Sequence, residues 1–210
     1  MASIKALAEA LSDGMEKSPS DRNIYYGMIL REANRQERMI CEVLELSKLQ
    51  SYGVPTVKQV VPACDIFDGV LAKYASLCDL MGVSFVVDDS IHLLPNLYTD
   101  TKYIQTVLDA LLSNATKFVP EEGGKICVSA RLSRRHATLC IADNGKGISR
   151  QDIPHIFERF YKVSHNDNET GSGLGLAIAR EITDNLHEKL WINSEEGIGT
   201  QAYFTVSLKK

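Results

Sequence analysis

Two glycine clusters carry the residues best suited to chemistry: Asp143-Asn144-Gly145-Lys146-Gly147 and Gly171-Ser172-Gly173-Leu174-Gly175-Leu176, with a variable loop between them. The first follows an apolar run over residues 137–142 that reads as a strand, so a carboxylate stands where the chain leaves a sheet and turns sharply. The second runs directly into Leu176-Ala177-Ile178-Ala179-Arg180-Glu181-Ile182, a good helix, which sets glycine amides at a helix N-terminus. Unsatisfied N–H groups and the positive end of the helix dipole make that a seat for phosphate. A carboxylate in a cleft is matched to an amine donor such as adenine N6. The stretch reads as a nucleotide site. A third candidate is Asn114-Ala115-Thr116-Lys117-Phe118, at the end of a helix over 100–118. Mg²⁺ takes a few hard oxygens plus phosphate and water, so the Asn114 amide oxygen suits a metal beside a triphosphate. Lys117, three residues on, shares that face and can reach a phosphate.

These residues need a scaffold that holds them together. Asp100 is placed to cap a helix whose apolar positions Ile104, Val107, Leu108, Leu111, Leu112 and Ala115 form a buried face. Glu121-Glu122-Gly123-Gly124 turns into a hairpin of 125–132 against 137–142, with Ser133-Arg134-Arg135-His136 as a solvated tip. Two further strands are expected over 190–193 and 201–208, joined through Glu195-Glu196-Gly197-Ile198-Gly199. Upstream, 56–61 reads as a strand, 63–81 as a helix, 83–87 as a strand, and Tyr98 begins a short strand. The pattern predicts an α+β fold: a two-layer sandwich of one mixed sheet with helices on one face.

The first 50 residues differ in character. Ile4, Leu7, Ala8 and Leu11 form one helical stripe, broken at Gly14 and Ser18-Pro19-Ser20-Asp21. A long helix then runs to about Gln50, with Ser18 as cap and Pro19 in the first position, or with Ser20 as cap. Its apolar positions Ile24, Met28, Ile29, Ala33, Ile40, Val43, Leu44 and Leu49 recur at helical spacing. Two helices cannot bury two stripes alone, so the expectation is an antiparallel hairpin that pairs with a second copy into a four-helix bundle. The predicted division is therefore a dimerisation hairpin over 1–50, a linker over 51–55 and a second domain over 56–210.

Composition excludes several classes. The net charge of −4 has mixed signs and offers no basic patch for nucleic acid. No apolar run approaches membrane-spanning length and no leader precedes a cleavage site, so no membrane contact and a cytoplasmic location are expected. The five cysteines show no CxxC spacing and read as reduced thiols. There is no GxxxxGK[ST], no H-R-D-x-x-x-x-N and no GxGxxG.

The ordered set of Asn114-Ala115-x-Lys117-Phe118, Asp143-x-Gly145-x-Gly147, Phe157-x-x-Phe160, Gly171-x-Gly173-Leu174-Gly175-Leu176 and Gly197-x-Gly199-Thr200 resembles the ATP-binding catalytic domain of sensor histidine kinases, in the superfamily that includes gyrase and heat-shock chaperones. By that resemblance Asp143 accepts the adenine amine, Gly145 and Gly147 shape the floor with Ile148 beside them, and Asn114 holds Mg²⁺ against the phosphates of ATP. Gly171, Ser172, Gly173, Leu174, Gly175 and Leu176 line the phosphates with Lys117, while Thr200 orders a water beside the adenine. Phe157 and Phe160 mark a short helix before a lid over 161–170 that begins at Tyr161. The implied partners are a second copy, through residues 1–50, and the receiver domain of a response regulator. A membrane anchor elsewhere in the full-length protein is also implied.

Two positions depart from the family pattern. An Asn usually stands four residues before Asn114, where this chain has Ala110; the ATPase branch places a general-base Glu there, and a methyl group cannot act as one. The phosphoacceptor His expected on the first helix is also missing, since no His precedes His92. The chain is read as a piece beginning just past that His. The rival readings are a degenerate ATP-sensing module without transfer, and a serine kinase of the same fold.

Overall fold

A computed structural model of the 210-residue chain describes residues 2–13, 18–52, 57–163 and 171–208. It divides into two compact units, Met1–Glu45 and Leu46–Lys210.

The first unit contains helix α1 (Ala2–Ser12) and most of α2 (Pro19–Tyr52). Ser18 caps α2: its Oγ accepts the Asp21 N–H at 3.1 Å, leaving Pro19 in the first helical position where its missing N–H costs nothing. Ile24, Met28, Leu30, Ile40, Val43 and Leu44 lie exposed along this helix.

The second unit begins with the last turns of α2, where Leu46 and Leu49 are buried. Its elements in chain order are β1 (Gln59–Val61), α3 (Ala63–Met81), β2 (Ser84–Val87), α4 (Asp89–His92), β3 (Leu97–Thr99), α5 (Thr101–Phe118), β4 (Lys125–Leu132), β5 (His136–Asp143), α6 (Gly175–Asn185), β6 (Leu190–Glu195) and β7 (Gly199–Ser207). The main sheet has the order β2-β4-β5-β7-β6, parallel between β2 and β4 and antiparallel elsewhere, while β1 and β3 form a separate antiparallel pair. This is the α+β architecture expected from the sequence.

Strand periodicity explains the layering. On β5, Ala137, Leu139 and Ile141 are buried and alternate with Thr138, Cys140 and Ala142 on the more open face. The buried side meets α5, whose stripe of Ile104, Val107, Leu108, Leu111, Leu112 and Ala115 is buried as its spacing predicts. Phe67 of α3, Ile182 of α6 and Phe204 of β7 complete a fully buried centre. Asp100 caps α5 by accepting the Lys102 N–H. All five cysteines are free.

Several boundaries differ from the sequence reading, each for a local reason. Of the strand expected over 56–61 only Gln59–Val61 pairs, and residue 56 lies outside the described residues. Val83 is not in β2, because its N–H bonds to the Cys78 carbonyl at 2.9 Å to close α3 beyond Gly82. The single turn α4, capped by Asp88, carries too short a pattern to be seen in the sequence. The short phenylalanine helix is absent: residues 150–157 form successive turns. Bonds from Asp152 N–H to Ser149 O and from His155 N–H to Asp152 O close four-residue turns, and Pro154 has no N–H with which to extend a helical ladder.

Among the described residues, no helix is long and apolar enough to cross a membrane.

Candidate nucleotide site

Asp143 is the last residue of β5 and lies opposite Thr200 at the start of β7. Its Oδ1 accepts the Gly145 N–H at 2.9 Å, and the Thr200 N–H also bonds to the carboxylate. Burial pushes this carboxyl above the usual aspartate range, and the two N–H donors only partly offset the rise. The result is a desolvated acceptor held in place by two backbone donors.

The floor around it is built from main chain packed too closely for side chains. A Cβ on Gly145 would stand 2.5 Å from the Phe118 carbonyl oxygen, and one on Gly199 would stand 2.1 Å from the Asp143 carbonyl oxygen. Gly147 combines φ of 69° with a Cβ position 2.0 Å from the Glu195 carbonyl oxygen. Side chains fasten the edges: Asn144 accepts the Lys125 N–H at 2.7 Å and donates to the Gly123 carbonyl at 2.9 Å. The Ile148 N–H donates to Ser194 Oγ at 2.9 Å. Ser194 gives its one proton to the Gly199 carbonyl at 2.8 Å, so in the 2.9 Å contact with Thr200 Oγ1 it is Thr200 that donates. The lone pairs of the Thr200 hydroxyl then remain as acceptors beside Asp143.

The phosphate side is made by α5 against the N-terminus of α6. A Cβ on Gly175 would lie 3.9 Å from the Ala110 methyl, and one on Gly171 would lie 2.9 Å from Lys117 Nζ. Ala110 and Lys117 thus face the second glycine cluster, and position 114, partly exposed, shares their helical face. Within that cluster Leu174 is fully buried and anchors the turn, while its N–H donates to Ser172 Oγ at 3.1 Å. Leu176 packs against the core from partial exposure.

The structure brings Asp143, Gly145, Gly147, Ile148 and Thr200 into one cluster, and Lys117, Gly171 and Gly175, with Asn114 on the same α5 face, into a neighbouring one joined through Phe118, while Gly173 lies against the backbone of Phe160 and Tyr161. The aromatic pair separates. Phe157 packs against the core with the Arg180 guanidinium 4.3 Å from its ring centroid, whereas Phe160 is exposed at φ of 61°, its N–H on the Gly173 carbonyl. Tyr161 donates its hydroxyl to Asp152 at 2.6 Å, and Ser149 donates to the other oxygen at 2.7 Å; both bonds hold the Asp152 carboxyl below its ordinary range. Of the lid expected over 161–170, residues 164–170 lie outside the described residues.

Lys146 and the Phe118 ring, both near the site, carry no role in the sequence reading. The Lys117 and Lys146 ammoniums each stand 4.6 Å from the Phe118 ring centroid. The signal available for them was the aromatic directly after Lys117 and the basic residue between the two glycines of the first cluster. Among the described residues no three His, Cys, Asp or Glu side chains gather to hold a metal. Asn114 offers a neutral amide oxygen on the α5 face for a divalent ion, which would have to take most of its oxygens from nucleotide and water.

Residues 99–210 match the family described as histidine kinase-, DNA gyrase B-, and HSP90-like ATPase. The chain belongs to that family. Sensor protein SrrB of Staphylococcus aureus (strain MRSA252) is 26% identical over 99% of this chain, which spans 35% of that relative's length. The fold is shared with histidine kinase AdeS of Acinetobacter baumannii, at 18% identity and a TM-score of 0.77 over 99% of this chain and 94% of that one. It is also shared with histidine kinase ThkA, solved in complex with response regulator protein TrrA, at 20% identity and a TM-score of 0.76 over 99% of this chain and 58% of that one. Within this ATPase family, then, the chain carries a catalytic domain of the sensor histidine kinase type. Its α5, Asp143 loop and α6 N-terminus all lie inside or adjoin the matched segment.

Proposed function

We propose that this chain is the catalytic core of a two-component sensor histidine kinase, which binds Mg²⁺-ATP through residues 56–210 and passes the γ-phosphoryl to a histidine on a helical hairpin. A response-regulator receiver aspartate is the next acceptor. The observation that supports this reading best is the juxtaposition of two unlike sites: a half-buried, N–H-bonded Asp143 carboxylate, and an α5 face bearing Asn114 and Lys117 against the glycine turn of α6.

In this reading Asp143 accepts the adenine amine, and the Thr200 hydroxyl holds a water against the same base edge. Gly171, Gly173 and Gly175 let backbone N–H groups approach the phosphates at the positive end of α6. Lys117 supplies an ammonium where charge collects on the transferring group. Mg²⁺, when bound, neutralises phosphate oxygens, and Asn114 is its protein ligand. The Ala110 methyl beside Gly175 offers neither amide nor base, which disfavours a water-activating ATPase. That same methyl favours the second reading, an ATP-sensing module without transfer. The setting that fits ATP as donor is the cytoplasm.

The deciding experiment mixes this chain and γ-labelled ATP with a hairpin that carries a histidine at the expected acceptor position. Acid-labile label on the hairpin histidine is the expected result. ATP binding with no label transferred would support the sensing module instead. The chain alone is expected to stay unlabelled, because His92, His136, His155, His165 and His187 all lie outside α1 and α2.

The functional division we propose is a hairpin over 1–50, a linker over 51–55 and the catalytic region beyond, with a homodimer formed through the hairpin. Its support is the exposed row of Ile24, Met28, Ile40, Val43 and Leu44 on α2, an apolar face that the serine-kinase alternative has no use for. Val43→Asp is expected to convert dimer to monomer in sedimentation, since it would bury an unpaired charge in the seam. A monomer already in the unsubstituted chain would remove this role for the helix.

A further inference from the structure

The Asp143 loop carries a cation that the family assignment does not use. Lys146 lies between Gly145 and Gly147, and its main chain is clamped on both sides: its N–H donates to the Phe118 carbonyl at 3.3 Å, and its carbonyl accepts the Gly197 N–H at 2.8 Å. The backbone that launches the side chain is therefore fixed. From it the ammonium reaches the Phe118 ring at 4.6 Å from the centroid, the same distance as Lys117 on the neighbouring turn. The two ammoniums are thus within twice that distance of each other, with one aromatic ring between the loop of the base side and the helix of the phosphate side.

We propose that Lys146 is a second polyphosphate-binding cation of this site, sharing the Phe118 ring with Lys117. The proposal rests on the nucleotide-binding reading above and adds to it the residue that ties affinity to the charge of the phosphate chain. Two like charges this close repel across a distance comparable to the screening length of physiological salt. A multiply charged anion is attracted by both ammoniums at once. Lys117 stands at Gly171, on the turn that receives the terminal phosphates, so Lys146 approaches the chain from the adenine side. It is also exposed, as a group must be to meet an incoming ligand. Where Ala110 removes a polar group from the phosphate side, an added ammonium supplies attraction that an amide would otherwise give.

Calorimetry on the whole chain with ATP, ADP and adenosine, for wild type, Lys146→Met and Lys146→Arg, tests this. Methionine keeps the length and the contact with Phe118 but not the charge, and the backbone bonds to Phe118 and Gly197 do not depend on the side chain. Lys146→Met is expected to weaken ATP about fivefold, ADP less, and adenosine not at all, with the ATP loss shrinking as salt rises. Lys146→Arg is expected to retain wild-type affinity. Equal weakening of adenosine and ATP would overturn the proposal, showing that Lys146 acts only by shaping Phe118, and so would unchanged ATP affinity in Lys146→Met. Wild type that binds no ATP would overturn both this and the functional reading, whereas wild-type binding with either adverse pattern overturns this alone.

Discussion

Asp143→Asn is expected to weaken ATP binding by a factor of roughly 30 or more, from loss of a hydrogen bond to a charged acceptor and a donor left facing a donor. The geometry dictates why a near-isosteric change costs so much. The carboxylate is already receiving the Gly145 and Thr200 N–H groups. An amide has a single oxygen with which to satisfy them, so its NH₂ would turn toward the adenine amine. Calorimetry with ATP and GTP checks this: wild type should prefer ATP strongly, because guanine presents an acceptor to the carboxylate. Equal affinity for the two nucleotides, or an unaffected variant, would remove adenine reading by this residue.

The same burial gives the binding a pH signature. Because desolvation raises the Asp143 pKa in the folded chain, its ionised form is disfavoured there relative to the unfolded chain. Its stabilising contribution is present in full below the unfolded pKa and is lost as pH rises through the raised folded value. Near neutrality the charge is a cost to the fold, so Asp143→Asn should melt no earlier than wild type. Adenine binding needs the carboxylate and runs the other way. It should fall as pH drops through the raised pKa, starting above the range of an ordinary aspartate.

Gly147→Ala is expected to lower stability by about 3–5 kcal/mol, roughly a 10 °C fall in melting temperature for a chain of this size. Part of that is the left-handed backbone at φ of 69°. The larger part is contact: the new Cβ would sit 2.0 Å from the Glu195 carbonyl oxygen, a backbone atom of β6 that cannot swing aside. Gly197→Ala is the matched comparison, with φ of 79° and nothing within 4 Å of its Cβ position. It should cost only about 1 kcal/mol. Thermal melts of the pair separate conformation from packing. Equal losses would show that the Asp143 loop is not pressed against β6 as described.

The sequence by itself singled out the residues of the proposed nucleotide site and determined which faces of α5 and β5 are buried. Local periodicity sufficed for α5, where six apolar positions at helical spacing all became core, and for α3, whose bounds match. The hairpin of β4 and β5 followed from a glycine turn and alternating side chains, and the cap of α2 narrowed to Ser18 once the Asp21 N–H was located. Such features depend on neighbours a few residues apart, which a sequence displays. Tertiary structure decided whatever depends on distant backbone. Three glycines of the site, Gly145, Gly199 and Gly147, are required by carbonyls of Phe118, Asp143 and Glu195, each far away in the chain. The strand expected to include Val83 lost it to the end of α3, and the expected helix near Phe157 dissolved into turns around Pro154. Most consequentially, only the packing of α5 against the Asp143 loop set Lys146 and Lys117 on one aromatic ring. No spacing within either motif encodes that meeting, because it is made by a sheet register that places two remote segments side by side.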